Sequence, residues 1–131
     1  MIGVEQTLTV KSLVDMPDLS ESEEDYCKKF VDRIIKTNRE IFILYSLLDR
    51  QMCGYDLIKE IFLKCNVFLS QGTVYPILYT LEEEGVLHAE YSKGDMRSKK
   101  YSLTPKGREI AQKDIKEFIK AMEQISALIQ R

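Results

Sequence analysis

Two short strand-like runs, "VLHAEYS" and "KKYSLT", flank "KGDMR" and limit what this chain can fold into more than any other feature. Lys-Gly-Asp is turn chemistry, and in the second run Tyr101 and Leu103 alternate with Lys100 and Ser102, as a half-buried strand requires. Two strands alone do not make a stable sheet, so the hairpin has to lie against helices.

Helical periodicity supplies them upstream. In "SESEEDYCKKFVDRIIK", Cys27, Phe30, Val31, Ile34 and Ile35 form an i, i+3, i+4, i+7, i+8 stripe, with Ser20 and Glu23 as a capping box. Thr37 and Glu40 offer a second box, so a new helix is expected through "IFILYSLL" after a break near residue 38. A short helix follows from about Tyr55 to Lys64, its inward face Leu57, Ile58, Ile61 and Phe62. Ser70 then serves as N-cap of a helix through Glu84, with Val74, Ile77, Leu78 and Leu81 as one buried stripe and Gly85 as its C′ stop. Beyond the hairpin, Thr104 at N-cap and Pro105 at N1 open a last helix. Its apolar seam is Ala111, Ile115, Phe118, Met122, Ile125 and Ile129, spaced 4, 3, 4, 3, 4. Three helices followed by a two-stranded hairpin is the order of a winged helix-turn-helix. The expected fold is therefore mainly α with a small β-hairpin (α+β). Residues 1–38 form an N-terminal arm and an extra amphipathic helix, 39–104 a winged-helix DNA-binding domain, and 105–131 a long C-terminal dimerisation helix.

Charge adds a functional direction. The formal net charge is −2, but it is segregated. Residues 1–38 hold five bases against eight acids, whereas residues 92–108 hold six bases against Asp95 alone. That places a strongly basic patch on the expected hairpin. The opening "MIGVEQTLTVKSLVD" has neither a basic start nor an apolar block, so no secretory signal is expected, and no run approaches the roughly 20 apolar residues of a membrane span. Cys27, Cys53 and Cys65 are an odd number without close metal-ligand spacing, which fits reduced thiols in a cytoplasm. Two readings of them stay open: buried small apolar side chains, or a redox switch. His88 is the single histidine, read as a structural imidazole in an apolar-flanked strand. With no Walker loop, dinucleotide fingerprint or Cys/His metal set, neither an enzyme nor a cofactor or metal site is expected.

The segments "ILYSLLDRQMCGYDLIKEI", "SQGTVYPILYTLEEEGVL" and "RSKKYSLTPKGREIA" resemble the PadR family of transcriptional regulators across residues 41–111. In that family a Gly-Tyr pair opens the second helix and a Gly-Thr-(apolar)-Tyr-Pro motif begins the recognition helix. A basic-aromatic strand and Leu-Thr-x-x-Gly complete the wing. The resemblance implies a homodimeric, cytoplasmic DNA-binding protein that represses transcription, and the short tail matches the subgroup that pairs through a single C-terminal helix. Some members bind flat aromatic effectors through a tryptophan of the last helix; this chain has no tryptophan, so the resemblance does not carry that effector class over, and a small-molecule effector of unknown identity stays open. Cys53 stands where a histidine is common before Gly-Tyr, and residues 1–38 exceed the usual leader.

Site residues follow from position. Recognition helices meet DNA with their N-terminal residues, which places Ser70, Gln71, Thr73 and Tyr75 there, and Tyr79 one turn later. Tyr75 has an alternative, packing into the core beside Val74. An interior proline costs about 3 kcal/mol, so Pro76 is expected on the outward side of a loosened first turn. Lys93, Arg97, Lys99 and Lys100 of the wing are candidates for phosphate contact. Glu82, Glu83 and Glu84 would repel the DNA backbone and so orient the helix with its N-terminus toward it. Ile115, Phe118, Met122, Ile125 and Ile129 are the dimerisation candidates, joined by Phe30 and Ile34 of the extra helix. The competing function is a winged-helix protein-interaction module whose tyrosines and basic wing bind an acidic protein surface; a thiol-sensing version of the regulator is a third.

Overall fold

A computed structural model describes residues 23–92 and 95–131, with the side chains of 23, 24, 92 and 95–98 outside the description. The arm at residues 1–20, the Ser20 cap and Lys93 lie outside the described residues, and Arg97 is placed by its backbone alone. The chain divides into two compact units, residues 1–34 and 35–131.

Helix α1 (Glu23–Thr37) holds the described residues of the first unit and runs on into the start of the second. Of its expected apolar stripe, Cys27, Phe30 and Val31 are exposed, Ile34 is half-buried and Ile35 is buried in the core. Tyr26 and Phe30 meet edge to face at 6.3 Å, with Lys29 and Arg33 over their rings at 5.4 and 5.6 Å.

The second unit contains α2 (Arg39–Leu47), β1 (Met52–Cys53), α3 (Gly54–Cys65), α4 (Gln71–Glu83), β2 (Leu87–Ser92), β3 (Asp95–Leu103) and α5 (Pro105–Gln130). The break before α2 falls at Asn38, which takes the N-cap position one residue beyond Thr37. The expected hairpin becomes a three-stranded antiparallel sheet in the order β1-β3-β2. The added strand is only two residues long, Met52 opposite Tyr101 and Cys53 opposite Lys100, too short for any periodicity to announce. It joins the entry of α3 directly to the wing.

One core holds these elements together. Ile43, Leu44 and Leu47 of α2, Leu57, Ile58 and Ile61 of α3, Val74, Leu78 and Leu81 of α4, Leu87 and Tyr101 of the sheet and Ala111 of α5 are all buried. Phe62, expected on the inward face of α3, is instead 45% exposed. It lies about 100° around the helix from Ile61, at the edge of a stripe that Leu57, Ile58 and Ile61 already fill. The cysteines also depart from the buried reading: Cys27 is exposed, and Cys53 and Cys65 are half-buried. Burial raises the Cys65 thiol pKa, the opposite of what activates a sensor thiol. His88 is likewise on the solvent side of β2, its Nε2 3.5 Å from Glu90.

The ends of α4 and α5 interlock. α4 stops where Gly85 takes φ +78°, a conformation that costs glycine nothing. Thr104 caps α5 through Oγ1, which accepts from the Gly107 amide at 2.9 Å and donates to the Gly85 carbonyl at 2.7 Å. Lys106 donates to the Glu84 carbonyl, and Arg108 reaches the Leu48 carbonyl. The first turn of α5 therefore satisfies the last carbonyls of α4 and α2 and fixes α4 in the domain.

Candidate nucleic-acid interface

The face of α4 turned away from the core is open to solvent. Val74, Leu78 and Leu81 point inward, which leaves Gln71, Gly72, Pro76, Tyr79, Thr80 and Glu83 exposed. Pro76 is on the outward side, as expected, and the helix continues through it. Ser70 occupies the N-cap with extended backbone, but its hydroxyl bonds no backbone amide. It donates instead to the Thr73 hydroxyl at 3.1 Å. The Ser70 carbonyl accepts from the Thr73 and Val74 amides, so the Gln71 and Gly72 amides are the ones left for an outside acceptor, at the positive end of the helix dipole.

Toward the wing, the surface is tied together rather than free. Gly54 lets the Tyr75 ring approach the start of α3; a Cβ at that position would clash with the hydroxyl end of the ring. Tyr75 is half-buried against the core, which matches the packing alternative for its ring, while Tyr79 beside it is exposed. Their centroids are 6.1 Å apart. Burial, with Cys53 and Tyr79 nearby, raises the Tyr75 pKa.

Lys99 is the centre of the wing side. Its ammonium is 3.1 Å from Glu82 and lies 5.4–5.7 Å from the ring centroids of Tyr79, Tyr91 and Tyr101. Burial works to lower its pKa, but Glu82 and the tyrosine oxygens outweigh that and hold it above the usual lysine value. Tyr101 is 1% exposed, and its hydroxyl has no hydrogen-bond partner among the described residues. Burial raises its pKa against the opposing charge of Lys99. Lys99 therefore links β3 to α4, whereas Lys100, next in the strand, is exposed. Glu82 is committed to this link; Glu83 and Glu84 are open at the far end of the helix.

The opposite flank of α4 faces the start of α2 and changes character along its length. A groove there is lined by Glu40, Pro76, Ile77, Thr80, Leu81 and Glu84, and continues past Glu40 toward Asp114. Glu40 is solvent-facing overall, yet desolvation of its carboxylate and the charges of Glu84 and Asp114 raise its pKa. Nearer the N-terminus the lining is basic, with Lys36 and Arg39 beside Ser70 and Thr73. Neither cation stood out in the sequence, because both sit in a helical run whose charges alternate in sign.

The seam of α5 is graded. Ala111 is buried, Ile115, Phe118 and Met122 are half-buried, Ile125 is exposed, and Ile129 is 77% exposed. Phe118 meets Phe42 of α2 edge to face at 5.9 Å. Beyond it an apolar hollow runs along the helix past Met122 to Ala127. No helix among the described residues is long and apolar enough to cross a membrane, and no three metal-ligating side chains converge there.

The sequence profile of the transcriptional regulator PadR-like family matches residues 43–113, the span from α2 into α5. No functionally curated protein matches the chain. Among solved structures, a transcriptional regulator from Clostridium thermocellum superposes with a TM-score of 0.66 at 23% identity, covering 72% of this chain and 93% of that one. A PadR-like transcriptional regulator from Bacillus cereus gives 0.64 at 24% identity, covering 76% and 98%. A PadR family transcriptional regulator from Eggerthella lenta gives 0.67 at 20% identity, covering 82% and 95%. At these identities the superpositions speak for the fold.

Proposed function

The chain belongs to the PadR-like family of transcriptional regulators, and from that premise we propose that it is a homodimeric repressor reading a specific DNA sequence with the N-terminus of α4. The observation that carries this reading is the open start of α4. Gln71 is exposed, the Ser70 hydroxyl caps no amide, and the adjoining Tyr79 and Lys100 are exposed on the wing side. Glutamine pairs with adenine in the major groove, and hydroxyls and amides bond phosphate oxygens. Ser70, Thr73, Tyr75 and Tyr79 position the helix, while Lys93, Arg97 and Lys100 neutralise phosphates. Lys99 contributes its charge to the same face while bracing the wing against Glu82.

Two copies pair through α5, about 39 Å long at 1.5 Å per residue over its 26 residues. A seam that becomes more exposed from Ile115 to Ile129 fits a partner helix covering its outer part. Phe30 and Ile34 of α1 are further dimerisation residues in this reading. The twofold axis then sets two α4 helices for successive major grooves, about 34–36 Å apart.

A salt-dependent gel shift with duplex from upstream of the gene tests the reading. The expected result is binding that weakens with salt, each neutralised phosphate contributing roughly −0.9 to the log–log slope. Gln71→Ala should lower affinity for the preferred duplex by about 1–3 kcal/mol, with a smaller loss on random duplex. Binding to an acidic protein surface but to no duplex would favour the interaction-module reading.

A further inference from the structure

The recess at the N-terminal end of α4, on the flank away from the wing, shares Ser70 and Thr73 with the reading above, but its Lys36, Arg39 and Phe68 have no part in it. It is bounded by Lys36, Arg39, Phe68, Leu69, Ser70 and Thr73 and has a volume of about 250 Å³. Arg39 Nη1 donates to the Lys36 carbonyl at 2.7 Å, which fixes the guanidinium at the α1–α2 break and uses one of its five N–H donors. Ser70 and Thr73 add two hydroxyls joined to each other at 3.1 Å. The first amides of α4 supply the positive end of its dipole. Among the described residues its lining holds two cations and no carboxylate, and Arg39 also borders the neighbouring groove that Glu40 and Asp114 line. Phe68, 61% exposed, is an apolar ring at the same recess, where burial in the core would have been its ordinary place.

We propose that this recess binds a DNA backbone phosphate, with Lys36 and Arg39 as its cations and Phe68 against the adjoining sugar. The inference rests on the DNA-binding reading and adds a second wall to it. A helix in the roughly 12 Å major groove has a phosphate chain on each side. Tyr75 and Thr73 are two residues apart and hence about 200° apart around α4. The wing stands on the Tyr75 side, and the recess on the Thr73 side. The charge gradient along this flank, basic at the start of α4 and acidic at its end, sets the same orientation as Glu83 and Glu84 do.

The test uses the full chain and duplexes carrying one neutral methylphosphonate linkage at successive positions. Wild type should be weakened by a linkage on the wing side and by another across the groove. Lys36→Gln and Arg39→Ala should each flatten the salt slope, by up to about 0.9 for the one phosphate they share, and lose sensitivity to the second linkage only. Lys100→Ala should lose sensitivity to the first. Lys36→Gln keeps the test valid if Arg39→Ala disturbs the helix break, and a thermal melt separates the two cases. Wild-type slopes and linkage sensitivities in both variants would overturn the phosphate site while leaving the DNA reading intact. Failure of wild type to bind any duplex would overturn both. A third arm measures inorganic phosphate binding in wild type and Lys36→Gln. Saturable binding lost in the variant, with the DNA slope unchanged, would assign the recess to a free anion and overturn its role on DNA.

Discussion

Helices α4 and α5 both begin at a hydroxyl residue in extended backbone, and they use it in opposite ways. Thr104 caps the Gly107 amide, donates to the Gly85 carbonyl, and is followed by a proline that needs no donor. Every feature of that start is spent inside the domain. The Ser70 side chain caps no amide, its hydroxyl is turned to Thr73, and the proline comes late, at position 76, on the exposed side. A closed start locks one element to the next; an open start leaves donors and dipole for something outside. The difference separates a structural helix terminus from a recognition terminus within one small domain.

The largest expected effect comes from the other face of α5. Phe118→Asp with Ile125→Asp places two charges in the proposed dimer seam and should give a monomer or an unfolded chain without operator binding, measured by sedimentation and gel shift. A double variant that remains a dimer and binds would show that α5 serves only to close α4.

Next in size is Gly54→Ala. Its Cβ would clash with the hydroxyl end of the Tyr75 ring, so a loss of about 1–3 kcal/mol in folding stability is expected from overpacking. Tyr75→Leu should recover part of that loss in a double-mutant cycle, since the two residues share one space. Additive losses would mean that Tyr75 does not depend on Gly54 for its position.

The two N-caps sharpen the comparison directly. Thr104→Ala should cost about 1 kcal/mol in denaturant unfolding, the usual value of a lost cap. Ser70→Ala should change stability by less than about 0.5 kcal/mol yet weaken operator binding. Equal stability losses in both would abolish the distinction.

The smallest effect concerns Glu40, whose pKa is raised in the fold by desolvation, Glu84 and Asp114. A carboxylate with a raised folded pKa holds its proton more tightly when folded. Its charge costs stability above the folded pKa, and the cost disappears as pH falls below the unfolded value near 4.5. Glu40→Gln should therefore be slightly stabilising at pH 7, by no more than about 0.5 kcal/mol at so exposed a position, with no gain at pH 4. Destabilisation at pH 7 would place a favourable partner on this carboxylate.

Much of the architecture was legible because long amphipathic stripes and turn chemistry report on burial. Val74, Leu78 and Leu81, the Thr104-Pro105 start and the Gly85 stop all lie where periodicity and capping put them. What was hidden depends on approach between distant segments. β1 is two residues long and exists only through its pairing with Tyr101 and Lys100. The Gly54–Tyr75 contact joins residues 21 apart in sequence, and the Glu82–Lys99 pair couples a helix end to a strand. Lys99 illustrates the point: composition marks it only as one of several wing cations, while geometry gives it three tyrosine rings and a carboxylate. The outward Phe62 and the exposed or half-buried cysteines show the converse, that apolar character alone does not secure a place in the core.

Hydrogen–deuterium exchange of the full chain with and without operator duplex tests the contrast between the two helix starts most directly. The account predicts that a peptide covering residues 69–75 gains protection on duplex binding, while one covering 103–109, already capped through Thr104 and Gly107, does not change. Protection at 103–109 with no change at 69–75 would contradict it, because the open end of α4 would then not be the end that meets DNA.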